Sequence, residues 1–140
     1  MSAAELQFLD TNILVYAYDS RAGVKAEQSQ NLLRSLWLSK MGCLSVQVLQ
    51  EFYVAATGII KMEAQAASEI VSELSSWKIH TPLAKDILDA INVHRRYQIS
   101  FWDALIVNSA SKLDCAVLWS EDFSDGQVYE GVQVKNPFKE

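Results

Sequence analysis

Asp103 stands in Phe101-Trp102-Asp103-Ala104-Leu105-Ile106-Val107 as the single charge in seven otherwise apolar residues. An unpaired carboxylate is costly in apolar surroundings and takes up a proton unless a compensating partner is close. A metal cation is the strongest such partner. Three more acids stand beside apolar runs. Asp10 closes Leu6-Gln7-Phe8-Leu9, and Glu51 lies inside Val48-Leu49-Gln50-Glu51-Phe52-Tyr53. Asp122 follows Ala116-Val117-Leu118-Trp119-Ser120-Glu121. Acids so far apart in sequence and so alike in setting imply one acidic pocket.

Mg²⁺ and Mn²⁺ prefer oxygen ligands, and Mg²⁺ keeps several waters while taking only one or two direct carboxylates. A pocket of acids without His or Cys suits those ions. Such an ion lowers the pKa of a bound water and neutralises charge on a phosphate; two ions would divide those tasks. The number of ions stays open. Ser120 is a candidate for holding a metal-bound water, and Asn12 for orienting Asp10 or a substrate, although both fit ordinary loop positions.

Each acid also has a plain structural reading. Asp is a favoured helix cap, which suits Asp10. Asp103 fits Ser-x-x-Asp, a variant of the capping box. Glu51 suits a solvated helix face, and Asp122 suits a loop in which Glu121 competes for any role. Their joint placement separates the two readings.

Other chemistries fit less well. An Asp after the first strand is similar to haloacid-dehalogenase-type phosphatases, which need a second Asp two residues on; here that position is Asn12. The five glycines are scattered, so no Gly-rich phosphate loop exists. His80 and His94 lack a nucleophile partner and read as structural. Two Cys and two His in no ligand spacing argue against zinc.

The elements that must position these acids alternate. Leu6–Leu9 reads as a strand, with turn chemistry at residues 10–12 leading into a helix from Ile13 to about Asp19. A second helix covers residues 25–40, burying Leu32, Leu33, Leu36 and Trp37. Cys43–Val46 reads as a strand, followed by a helix to about Ile60 with Leu49, Phe52, Tyr53, Ala56 and Ile60 as its stripe. Ala67, Ile70, Val71, Leu74 and Trp77 mark another amphipathic helix. Lys78–Thr81 reads as extended. Thr81-Pro82 supplies a cap and first residue for a helix through Arg96. Ser100 caps a helix over 101–113, Cys115–Trp119 is a strand, and Val132–Val134 a late edge strand before Asn136-Pro137-Phe138.

This order predicts an α/β chain with a central, mostly parallel sheet covered by helices on both faces, as one domain over residues 1–140. In such sheets ligands gather beyond the carboxyl ends of the strands. Asp10 and Asp122 follow strand ends, and Glu51 and Asp103 lie near helix starts, so the spacing favours convergence at that edge.

Composition agrees with a globular fold: 50% hydrophobic and 21% charged residues. No apolar stretch approaches a membrane span, and the first five residues lack the basic and apolar regions of a signal peptide. Cys43 and Cys115 read as buried thiols of a reducing cytoplasm. The net charge of −5 argues against simple nucleic-acid binding, which draws its affinity from phosphate contacts. Metal-dependent phosphodiester chemistry remains compatible with it, aided by any local basic patch from Lys61, Arg95, Arg96 and Lys112.

Four segments in order resemble the successive motifs of PIN-domain ribonucleases. They are Phe8-Leu9-Asp10-Thr11-Asn12, Ser45-Val46-Gln47-Val48-Leu49-Gln50-Glu51-Phe52, Ser100-Phe101-Trp102-Asp103-Ala104-Leu105-Ile106 and Leu118-Trp119-Ser120-Glu121-Asp122. The chain is most similar to VapC-type toxins of bacterial toxin–antitoxin modules, including its Asn136-Pro137-Phe138 ending. The resemblance implies a PIN-like α/β/α sandwich with Asp10, Glu51 and Asp103 as core acids around Mg²⁺ or Mn²⁺. Asp10 and Asp103 would be direct ligands, Asp122 the fourth and most variable acid, with Ser120 before it. It further implies cleavage of structured RNA such as tRNA or rRNA, homodimerisation, and inhibition by a cognate antitoxin. Two alternatives stay open: a catalytically silent PIN-like module binding RNA or protein, and a structure-specific DNA nuclease. Phe52, Tyr53 and Trp102 are candidates for base contact, but their apolar spacing favours core packing. The general base is left unassigned between Glu51 and Asp122.

Overall fold

A computed structural model describes residues 5–139. The reading of the chain start rests largely on residues 1–4, which with residue 140 lie outside the described residues. At the centre, strand β1 (Gln7–Leu9) pairs in parallel with β2 (Gly42–Ser45) on one side and β4 (Val117–Trp119) on the other. Strand β3 (Lys78–His80) adds beyond β2, and β6 (Val132–Lys135) beyond β4, both parallel. A two-residue strand, β5 (Val128–Tyr129), closes the far edge antiparallel to β6. The order is β3-β2-β1-β4-β6-β5, so the connections run one way from β1 to β3 and reverse at β4. That reversal opens a crevice beside the carboxyl end of β1.

Helices α1 (Thr11–Ala17), α2 (Val24–Ser39), α3 (Val46–Gly58) and α4 (Ala64–Leu74) form one layer, α1 packing on α2 and α3, and α3 on α4. Helices α5 (Ala84–Tyr97) and α6 (Phe101–Lys112) pack together as the other, with α6 lying across β2, β3, β4 and β6. The result is the expected α/β/α sandwich. Strands this short hold through burial, since Phe8, Leu9, Leu44, Leu118 and Val134 are wholly inaccessible. Ile13, Leu14, Phe52 and Val107 cover them from the helices. Each such side chain contributes about 1.5–3 kcal/mol of transfer free energy.

Several boundaries differ from the sequence reading for local reasons. Helix α1 starts at Thr11 instead of Ile13, because Asp10 itself caps it by accepting from the Thr11 N–H. Ser45 caps α3 by accepting from the Val48 N–H, so the helix begins at Val46. Its buried stripe is Val48, Phe52 and Ala56, while Tyr53 faces outward at 38% exposure. Thr81-Pro82 does not open α5. The Asp86 carboxylate accepts from the Leu83 N–H at 2.8 Å and fixes the first turn two residues later. Val132–Lys135 is not an edge strand, because β5 covers it. The Glu130-Gly131 turn between them has positive φ at both residues (49° and 81°), the geometry that suits tight hairpins. The Tyr97 hydroxyl and Arg96 hold Glu130 there.

Gly42 is a close-approach glycine. A Cβ there would stand 2.2–2.7 Å from ring atoms of Trp77. That ring is fixed edge-on against Trp37, at 5.5 Å between centroids. Gly42→Ala is therefore expected to lower stability by about 1–3 kcal/mol through overpacking. The check is a lower urea midpoint at unchanged m-value, recovered when Trp77→Leu is added. Unchanged stability would mean that the indole swings aside freely.

Candidate active site

Register brings the first two site residues together. Leu9 pairs with Trp119, and the Asp10 N–H donates to the Trp119 carbonyl at 3.0 Å. Asp10 and Ser120 thus leave adjacent strands side by side. The Ser120 hydroxyl donates to Asp10 Oδ2 at 2.7 Å, and the Thr11 N–H donates to Oδ1 at 2.7 Å. Ser120 Oγ also accepts from the Asp122 N–H at 3.0 Å, which fixes the loop after β4. Ser120 therefore orients Asp10 directly; its proton is committed to that carboxylate.

Asp10 is only 5% exposed. Burial pushes its pKa up to about 7; the Ser120 and Thr11 bonds oppose the rise, and Asp122 and Asp103 add to it. Asp103 lies on the first turn of α6, where its N–H donates to the Ser100 cap at 3.0 Å. It is half-buried. Its pKa is also raised, by burial first and then by Asp122 and Glu51 across the cleft. Asp103 stands out in sequence as the lone charge in an apolar run, but the most buried of the four acids is Asp10. The first turn of α6 leaves Asp103 partly open, whereas Asp10 sits where β1 enters α1.

Glu51 is exposed and held from two sides. Thr11 Oγ1 donates to its Oε1 at 2.6 Å, and Gln47 Nε2 to its Oε2 at 3.2 Å. Gln47 Nε2 also lies 3.4 Å from the Trp102 carbonyl, so one amide ties α3 to the start of α6. Sequence reasoning missed Thr11 and Gln47. The signals were present: Thr11 follows Asp10, and Gln47 lies one helical turn before Glu51. Asp122 is exposed and accepts from Asn12 Nδ2 at 2.9 Å. Asn12 thus orients Asp122, with a longer contact of 3.4 Å to Ser120 Oγ, and no bond joins it to Asp10.

Among the described residues, none of the five ion pairs includes Asp10, Glu51, Asp103 or Asp122. The four are electrostatic neighbours without a protein cation. Asn12 Oδ1 is also buried without a donor. Flipping the amide would set that oxygen against the Asp122 carboxylate, so the assigned orientation stands. An all-oxygen donor set that includes a buried carboxylate with a raised pKa fits a hard divalent cation. Among the described residues no three acids, His or Cys converge tightly enough to cage an ion.

Glu121 points elsewhere. Its carboxylate accepts from the Tyr16 hydroxyl and, at 2.8 Å, from Lys25 Nζ. Burial alone would raise its pKa, but the Lys25 and Tyr16 bonds outweigh it and hold it low. Lys25 also lies over the rings of Tyr16 (5.1 Å) and Phe138 (5.2 Å), which clasps the chain end against α1. With Glu121 so engaged, Asp122 is the acid that faces the cleft. Of the residues suggested for a basic patch, Arg96 pairs with Glu130 and Lys112 with Asp89, at 2.7 and 2.8 Å.

The two histidines hold structure. His80 Nδ1 lies 2.7 Å from Ser109 Oγ, and His94 Nδ1 contacts the Ile99 carbonyl. Cys43 and Cys115 are both buried and free. Phe52 is in the core, as its apolar spacing implies, but Trp102 is not. It is 64% exposed beside Asp103.

A family model described as the PIN domain matches residues 8–124. No curated protein matches the chain. Solved structures share its fold at low identity. A toxin–antitoxin complex from Klebsiella pneumoniae is 20% identical, with 95% of this chain and 98% of that chain covered and a TM-score of 0.69. VapBC2 from Rickettsia felis, bound to a DNA fragment from their promoter, is 21% identical over 94% and 98%, with a TM-score of 0.67. The sarcin-ricin loop cleaving toxin VapC20 of Mycobacterium tuberculosis is 15% identical over 80% and 86%, with a TM-score of 0.61.

Proposed function

Because the chain belongs to the PIN-domain family, we propose that it is a Mg²⁺- or Mn²⁺-dependent endoribonuclease acting as the toxin of a toxin–antitoxin pair. The observation that carries this is the buried Asp10, with Asp103 and Asp122 as charged neighbours and, among the described residues, no ion pair. A structural cap has no need of three further carboxylates around it. Asp10 and Asp103 would hold the ion, with Glu51 and Asp122 on its open side. When bound, the ion would supply a more acidic water and neutralise charge on the phosphate to be cut.

The chain's own groups have defined tasks. Ser120 keeps its proton on Oγ and aims one Asp10 oxygen; the Thr11 N–H aims the other. Thr11 Oγ1 and Gln47 hold Glu51 on the exposed rim of the cleft. Asn12 orients Asp122 toward the same cleft.

The fold is shared with toxins solved with their antitoxins, which supports a cognate antitoxin as partner. An anionic cleft suits a basic inhibitory peptide. In this reading the chain is one PIN-like domain that works as a homodimer in the cytoplasm on a structured RNA. No described helix is long and apolar enough to cross a membrane.

The test is cleavage of a labelled small-RNA pool with Mg²⁺ or Mn²⁺, with EDTA and Asp10→Asn as controls. Discrete fragments that vanish with EDTA and with the variant are expected. No cleavage and no stabilisation by Mn²⁺ would favour a silent binding module. Equal cleavage of matched DNA would favour the DNA nuclease.

A further inference from the structure

Trp102 is the largest apolar side chain left in water at the acid cleft, at 64% exposure. It precedes Asp103 on the first turn of α6, and Gln47 links its carbonyl to the Glu51 carboxylate. Helical side chains lean toward the helix N-terminus. The indole therefore leans toward the sheet edge that carries the acids. Phe101 stands edge-on to it at 5.3 Å between centroids, so the ring is braced.

The cleft's charge limits what can settle on that ring. Its chain neighbour Asp103 feels Asp122 and Glu51 across the cleft, and among the described residues none of these acids is in an ion pair. The whole chain carries a net charge of −5. Away from a bound ion a phosphate is repelled there, and affinity from phosphate contacts alone is weak. The uncharged face of a nucleobase is the part of RNA that gains from this position, because stacking on an aromatic ring needs no cation. Paired bases have their faces covered, so the base must be unstacked or unpaired.

We propose that Trp102 is a stacking platform for one unpaired nucleobase beside the bond to be cut. The proposal rests on the nuclease reading above and deepens it.

The experiment has a catalytic and a binding arm, both on the full chain with Mn²⁺. In the first, Trp102→Ala should raise KM for a short single-stranded oligoribonucleotide by about tenfold or more, with kcat changed by less than about twofold. Trp102→Phe should recover most of that loss. In the second, the same oligonucleotide is added to the Asp10→Asn variant. Indole emission should be quenched, and adding Trp102→Phe should remove the quench while Trp37, Trp77 and Trp119 remain. An oligonucleotide abasic at the target position should not quench.

Cleavage by the native chain with an unchanged KM in Trp102→Ala would overturn the stacking proposal and leave the nuclease reading intact. Unchanged RNA binding with lost self-association would assign the ring to a protein interface and overturn it as well. A native chain that neither cleaves nor binds the oligonucleotide would overturn both readings.

Discussion

Asp103→Asn is expected to reduce RNA cleavage by about a thousandfold or more while leaving the fold intact. In the proposed reading a cation at this cleft would contribute several kcal/mol to a charged transition state, and each 1.36 kcal/mol is a factor of about ten in rate. Removing one of the two carboxylates proposed to hold it would remove much of that. The same change should cost little stability. Asp103 is half-buried, and its carboxyl is pushed up by burial and by Asp122 and Glu51, so the charge is a liability in the absence of metal. Its replacement weakens a first-turn acid's interaction with the helix dipole, about 0.3–1 kcal/mol, and the carboxylate's own bond with Ser100. The Ser100 cap bonds a backbone N–H, which Asn retains. Cleavage kinetics and urea unfolding on one preparation separate the two effects. Native-like cleavage would remove Asp103 from the mechanism, and a large loss of stability would make it a structural acid.

That Asp103 was visible in the sequence, while its burial was not, follows from what each depends on. A charge among Phe, Trp, Leu and Ile is a local pattern. How far the first turn of a helix opens to solvent depends on what packs beside it, here Gln47 from a helix much earlier in the chain. The shared sheet edge was legible because parallel strands put all their carboxyl ends on one side, and Asp10 and Asp122 follow such ends. The hydrogen bonds that join them needed the register: Leu9 opposite Trp119 sets Ser120 against Asp10.

Periodicity served best where helices are buried on one face and failed where two demands compete. Tyr53 and Trp102 have apolar neighbours in sequence and so read as core, yet they face outward. The motif resemblance pointed to Asp122 over Glu121 without a physical reason, which lies in Lys25 and Tyr16 claiming Glu121. The β5–β6 hairpin escaped because Glu130-Gly131 is a weak turn signal until the Tyr97 and Arg96 contacts that hold it are known.

The acid cleft should also govern how stability depends on pH. Asp10 titrates near 3.8 in the unfolded chain and at about 7 in the metal-free fold, chiefly through burial. Between those values the folded state holds a proton that the unfolded state has released. Stability from this group is therefore fully present below about pH 4 and is lost as pH rises through about 7. A tenfold difference in proton affinity between the two states corresponds to about 1.36 kcal/mol, so the loss is a few kcal/mol. Unfolding in EDTA from pH 4 to pH 8 should show that decline against the background of other groups. Asp10→Asn should remove most of it, because the amide has no proton to release. Mn²⁺ should restore stability to the native chain and do so more at pH 8 than at pH 5, since it competes with the proton for the same carboxylate. Parallel pH profiles for the native chain and Asp10→Asn in EDTA would show that Asp10 is an ordinary ionised cap. Metal stabilisation independent of pH would show that the ion binds without displacing a proton from it.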